Sequence, residues 1–144
     1  MPTAIITGAS AGIGAGTTKR LLNDGWNVIL IARSTDKMQK VASDYPSPQY
    51  KIISCDLSKP ELLLTAVIPE IKQYLNGANT IDLLVNNAGG THGGSKKKYS
   101  SNENLLSSFN WHIDLMLTTP YSLTRYLSNM NLFSDKASVI NIGN

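Results

Sequence analysis

Three glycines in the segment Thr7-Gly8-Ala9-Ser10-Ala11-Gly12-Ile13-Gly14 follow a short apolar run, Ala4 to Thr7, and open a stretch with helical character. In that position their spacing has chemical meaning. Gly8 allows a tight turn, Gly12 removes a side chain where a pyrophosphate must approach the backbone, and Gly14 lets the next helix lie close to the strand. A helix starting there turns free N–H groups and the positive end of its dipole toward the phosphates. The chemistry on offer is retention of a dinucleotide through its phosphates. Tight strand-to-helix turns need glycine for conformational reasons too, so the assignment rests on what stands at the other strand ends.

Stepping outward, Ala4 to Thr7, Asn27 to Ala32, Tyr50 to Ser54, Ile81 to Asn86 and Ala137 to Ile142 are runs rich in Val and Ile without polar alternation, as in strands buried on both faces of a parallel sheet. Helical segments lie between them: Gly12 to Asp24, closed by Gly25; Thr35 to Ser43, closed by Tyr45-Pro46; Lys59 to Leu75, closed by Asn76-Gly77; and Asn102 to Asn129. Strands alternating with helices make right-handed crossovers. The expected fold is an α/β, doubly wound, Rossmann-like parallel sheet with helices on both faces, ending after the fifth strand, with residues 1–144 as one dinucleotide-binding domain. Leu63, Val67, Ile71 and Leu75 form a stripe expected to pack on the sheet. Pro69 breaks the pattern and predicts a kink, or two short helices meeting near Ile68.

Three motifs in order, Thr7-Gly-x-x-x-Gly-Ile-Gly, Cys55-Asp56-Leu57 after the third strand and Asn86-Asn87-Ala88-Gly89 closing the fourth, make the chain resemble the short-chain dehydrogenase/reductase family along its whole length. The resemblance implies that a nicotinamide dinucleotide lies against Gly8, Ser10, Gly12, Ile13, Gly14, Arg33, Ser34, Asp56, Leu57, Asn87, Ala88 and Gly89, with Asp56 at the adenine ring. Physics adds a cofactor preference. An acid at the end of the second strand would accept hydrogen bonds from the ribose 2′-hydroxyl and repel a 2′-phosphate. Ala32-Arg33-Ser34 stands there instead, where a guanidinium can take a phosphate bidentately and Ser34 can add a hydroxyl donor. NADP(H) is expected ahead of NAD(H). Asp36 nearby, and Ala11 where many NADP(H)-using relatives carry a second basic residue, weigh against it.

The family's catalytic groups are a Tyr-x-x-x-Lys pair after the fifth strand, a Ser at that strand's end and an Asn on the fourth helix. The Tyr acts as general acid/base with its pKa lowered by the Lys and the cofactor's charge. The resemblance puts Met116 at the Asn position and Asn144 at the Ser position, and places the Tyr-Lys segment beyond Asn144. A thioether cannot replace an amide that both donates and accepts. Tyr121 and Arg125 share the Tyr-x-x-x-basic spacing, but Arg cannot shuttle a proton and the helix precedes the fifth strand, so both are read as packing residues. His92, in a glycine-rich loop, and His112, beside Trp111, are read as surface or packing histidines, and neither has the partner spacing of a metal site.

Two readings follow. One is an oxidoreductase transferring hydride between NADP(H) and a small-molecule carbonyl or alcohol, with this chain a truncated part lacking the catalytic Tyr-Lys segment. The other is a non-catalytic NADP(H)-binding sensor or degenerate paralogue, motivated by Met116 and Asn144. Composition narrows the remainder. With 42% apolar and 16% charged residues the chain closes a core and is not disordered. The net charge of +3 is scattered apart from Lys96, Lys97 and Lys98, which read as a solvated loop, so no clustered basic face argues for nucleic acid. Cys55, alone, has no internal disulfide partner and is read as a small packing residue. No basic leader and no apolar stretch of membrane-spanning length is present, so a soluble cytoplasmic protein without a membrane partner is expected, with homo-oligomer formation left open.

Overall fold

The computed structural model describes residues 1–90 and 102–143; His92, Lys96, Lys97, Lys98 and Asn144, singled out above, lie outside the described residues. Strands β1 (Thr3–Thr7), β2 (Asn27–Ala32), β3 (Tyr50–Ser54), β4 (Ile81–Asn86) and β5 (Phe133–Asn141) form one sheet in the order β3-β2-β1-β4-β5. Every neighbouring pair is parallel. The chain winds outward from β1 through β2 to β3, then crosses back to lay β4 on the other side of β1. That reversal opens a crevice at the carboxyl ends of β1 and β4, the place where open α/β sheets bind ligands.

Alternate residues of each strand feed two separate cores, as expected for strands with both faces covered. On one face Ala4, Ile6, Val28 and Leu30 pack with Leu22 of helix α1 (Gly12–Asn23) and Met38 and Val41 of helix α2 (Thr35–Ala42). On the other, Ile5, Ile29, Ile31 and Leu84 pack with Ile71 and Leu75 of helix α3 (Ile68–Leu75) and with Leu123 and Leu127 of helix α5 (Thr119–Asn129). The stripe Leu63, Val67, Ile71 and Leu75 is buried against the sheet, and Cys55 packs in the same core.

Both prolines within the long helical patterns act as starts. The segment read as one element from Lys59 to Leu75 is a 3₁₀ turn (Pro60–Leu62), a π-turn (Leu63–Val67) and then α3, with Pro69 in the first turn of α3, where its missing N–H has no intrahelical partner to lose. Likewise the stretch read as one helix from Asn102 to Asn129 is helix α4 (Asn102–Ile113), a π-turn (Asp114–Thr118) and α5, with Pro120 in the first turn of α5. The last strand begins earlier than its apolar run. Phe133 pairs with Ile81 and Ser138 with Leu83, so the residues between them bulge outward and Asp135 and Lys136 are exposed, which hides that part of the strand from a search for apolar runs. Along β5, Val139 and Ile140 are exposed.

Candidate functional site

The glycine loop leaves β1 at Thr7 and enters α1 at Gly12. Gly8 and Gly12 both adopt left-handed backbone, at φ +65° and +54°, which side-chain-bearing residues rarely take. Around them the space differs. A Cβ on Gly8 would lie 2.9 Å from the Cα of Ala88, whereas a Cβ on Gly12 would meet nothing within 4 Å. Gly12 therefore faces open cleft, and its missing side chain leaves the backbone approachable. A Cβ on Gly14 would stand 2.1 Å from the Gly8 carbonyl oxygen and 2.6 Å from Asn87 Nδ2. Gly14 is fully inside the fold and serves helix–strand packing.

Thr7 stitches this loop to the end of β4. Its hydroxyl oxygen accepts from the N–H of Asn87 (2.9 Å) and of Ala88 (3.0 Å). The Asn87 amide donates back to the carbonyls of Thr7 and Gly8, each at 3.3 Å. Asn86 turns the opposite way, its amide donating to Asn141 Oδ1 (2.9 Å). Together these bonds hold two strand ends, 80 residues apart in sequence, at one rim.

An open cleft of about 350 Å³ runs along that rim over the ends of β1, β2, β3 and β4. Gly8, Ser10 and Gly12 form its floor on the β1 side; Arg33 and Ser34 line it after β2, Asp56 and Leu57 after β3, and Asn87, Ala88 and Gly89 after β4. Of the twelve residues expected to hold a cofactor, these ten are brought together. Gly14 lies beneath the cleft, and Ile13, 63% exposed, points to solvent on the first turn of α1.

Sequence reasoning missed Lys37, Trp111 and Leu115, which also line the cleft. Leu115 lies about one turn beyond Trp111, so residues four apart facing one side was the available signal there; Lys37 had none of that kind, because Arg33 precedes the Ser34 cap of α2.

Local bonds aim the individual groups. Ser34 caps α2 by accepting from the Lys37 N–H, leaving its own proton free to donate. The hydroxyl of Ser54 donates to the Arg33 carbonyl at 2.9 Å, tying the β2 end to β3. Thr119 donates to the Leu57 carbonyl at 2.6 Å, tying the β3 end to α5. Asp56 Oδ1 accepts from both the N–H (3.0 Å) and the hydroxyl (2.7 Å) of Ser58.

Burial works to raise the Asp56 pKa, but the two Ser58 hydrogen bonds and the charges of Lys59 and Arg33 outweigh it and hold the carboxyl below its ordinary value. A depressed pKa contributes stability that is fully present above the unfolded-state value, about 3.9, and is lost as pH falls through the folded value. The stability gap between the wild type and Asp56→Asn, followed by urea unfolding, is therefore expected to be full at neutral pH and to close in acid. A gap that stays constant with pH would refute this. Neighbouring Cys55 moves the other way, its thiol pushed up by burial and by the Asp56 charge.

The remaining candidates sit elsewhere. Met116 lines a second cleft, of about 420 Å³, with Asn86, Thr124 and Asn141. Tyr121, read as a packing residue, is instead 66% exposed at that cleft with Arg125, because the π-turn before α5 directs Leu123 and Leu127 inward. His112 Nδ1 donates to the Ser108 carbonyl at 2.7 Å and its ring stands edge-on to Trp111, a packing role as expected. Among the described residues no group of three or more His, Cys, Asp or Glu could hold a metal ion, and no helix is long and apolar enough to cross a membrane.

The family model for short chain dehydrogenases matches residues 2–144. Dehydrogenase/reductase SDR family member 11 of Gallus gallus is 39% identical over 90 residues, covering 60% of this chain and 34% of that protein. The NADPH-dependent 1-acyldihydroxyacetone phosphate reductase of Saccharomyces cerevisiae is 37% identical over 92 residues, covering 60% of this chain and 28% of that protein. Among solved structures, a metagenomic short-chain oxidoreductase in complex with NADP superposes with a TM-score of 0.76 at 27% identity, covering 99% of this chain and 61% of that one. The chain thus spans about a third of the length of the curated relatives it matches. With the sheet order, the glycine loop and the β4 motif meeting at one cleft, the match assigns this chain to the short-chain dehydrogenase family of oxidoreductases.

Proposed function

We propose that the chain forms the NADP(H)-binding part of an oxidoreductase that transfers hydride between NADP(H) and a small-molecule carbonyl or alcohol. One observation carries the cofactor choice: the cleft wall after β2 presents Arg33 and Ser34, and no carboxylate stands there to receive a ribose 2′-hydroxyl. Asp36, the nearest acid in sequence, is exposed on the first turn of α2 and is not part of the cleft wall. A yeast relative described as NADPH-dependent and a solved relative described as an NADP complex support the same choice.

The residues present fit such a cofactor. Gly12 leaves room for a pyrophosphate over the loop and the first turn of α1, Arg33 and Ser34 would take the 2′-phosphate, and the Leu57 and Ala88 side chains would flank the adenine. Asp56 keeps Oδ2 without a protein partner among the described residues and would offer it as an acceptor to the adenine amino group. When bound, the nicotinamide would supply the hydride; this chain's part is to grip the phosphates and hold the adenosine end.

Titration with NADPH and NADH tests the reading. NADPH is expected to bind at least tenfold more tightly, and Arg33→Ala to erase most of that difference, a charged hydrogen-bonded pair being worth about 1.5–3 kcal/mol. Equal or tighter NADH binding by the wild type would overturn it.

A further inference from the structure

Arg33 does not face the cleft as its only cation. Lys37 lines the same wall, one turn into α2, and the geometry of that helix puts it there: Ser34 caps it, Met38 is fully buried beneath it, and Lys37 is left on the exposed side next to the Arg33 loop. Neither Arg33 nor Lys37 makes an ion pair among the described residues, so both charges stand at the cleft wall. Ala11, which also lines the cleft, offers only a methyl group.

We infer that Lys37 is a specificity-determining residue of the cofactor site, supplying from α2 the second positive charge for a ribose 2′-phosphate. The inference rests on the NADP(H) reading above and says which residue completes it. A phosphate monoester carries between one and two negative charges at neutral pH. One guanidinium carries a single positive charge and leaves part of the phosphate charge unmatched, and the Lys37 ammonium is a flexible point charge that can reach it without the planar fit Arg33 requires. The two cations repel each other along that wall, and a dianion held by both converts that repulsion into attraction. A ligand lacking the 2′-phosphate gains nothing from Lys37.

The test compares adenosine 2′,5′-bisphosphate with AMP by calorimetric titration of the wild type, Lys37→Met and Lys37→Arg, with thermal melts to confirm that exposed Lys37 does not alter folding. Lys37→Met is expected to weaken the bisphosphate about tenfold, as for loss of one charge-assisted contact, and to leave AMP unchanged. Lys37→Arg is expected to retain most of the affinity, and raised salt to narrow the gap between wild type and Lys37→Met. If the wild type prefers the bisphosphate and Lys37→Met weakens both ligands equally or neither, the role of Lys37 is refuted while the NADP(H) reading stands. If the wild type does not distinguish the two ligands, both fall.

Discussion

Gly14→Ala is expected to lower the thermal midpoint by roughly 10 °C, a loss of about 3 kcal/mol, whereas Gly16→Ala, two residues further along the same helix, is expected to raise it slightly. Both glycines lie in α1, so propensity alone favours alanine at each by about 0.5–1 kcal/mol. What differs is the space outside the helix. At Gly16 an added Cβ meets nothing within 4 Å, while at Gly14 it lands 2.1 Å from the Gly8 carbonyl oxygen and 2.8 Å from the Gly8 carbonyl carbon. Those are backbone atoms of the loop, and no rotamer change can clear them. Either α1 moves off β1 or the loop moves into the cleft, so Gly14→Ala is expected to weaken NADPH binding as well. Scanning calorimetry of the two variants decides the matter: a Gly14→Ala chain melting with the wild type would mean that α1 is not seated this closely.

The second large effect is expected at Thr7. Thr7→Val conserves shape in a site where Thr7 is 2% exposed, yet removes the one oxygen that accepts from the N–H groups of Asn87 and Ala88. A buried donor left without an acceptor costs about 1–3 kcal/mol; with both groups half-buried, a combined loss of roughly 2–3 kcal/mol is expected in urea unfolding. Thr7→Ser keeps the oxygen and loses only a methyl group, so it should fall well short of that loss. If Thr7→Val proves as stable as Thr7→Ser, the hydroxyl is not what joins the two strand ends.

The features that a single segment can encode were the legible ones. Strands buried on both faces announce themselves as unbroken apolar runs, which is why β1 to β4 were expected close to where they stand, and the glycine loop was readable because its spacing meets a strand end on one side and a helix start on the other. Legibility failed where the answer depends on another segment. The first residues of β5 carry Asp135 and Lys136 because they bulge away from β4, and only the pairing of Phe133 with Ile81 makes them strand. Pro69 gave correct warning of a break, Pro120 was read through as helix interior, and the compensating π-turns that keep the upstream residues in register with the sheet have no sequence signature of their own. Within the site, Trp111 and Leu115 come from α4 and the turn after it, a segment whose approach to the Asp56-Leu57 end of the cleft is a matter of tertiary packing. Gly14 was assigned to the cofactor and to packing together, and the geometry separates the two.

The bonds from Thr7 to Asn87 and Ala88 span 80 and 81 residues of chain. No local stretch can preorganise them, so the proposed phosphate cradle is complete only when the crossover from β3 has laid β4 beside β1. Loop closure over that distance is slow relative to the formation of the adjacent β1–β2 pair. On the proposed reading, competence to bind is expected to come only with that pairing, which would make the ligand a reporter of native topology: a chain with its helices formed and only its first strands paired would have no complete cradle to offer. Because the ligand recognises only the finished state, its presence during refolding draws the population toward that state by mass action, in proportion to the logarithm of its concentration over its dissociation constant.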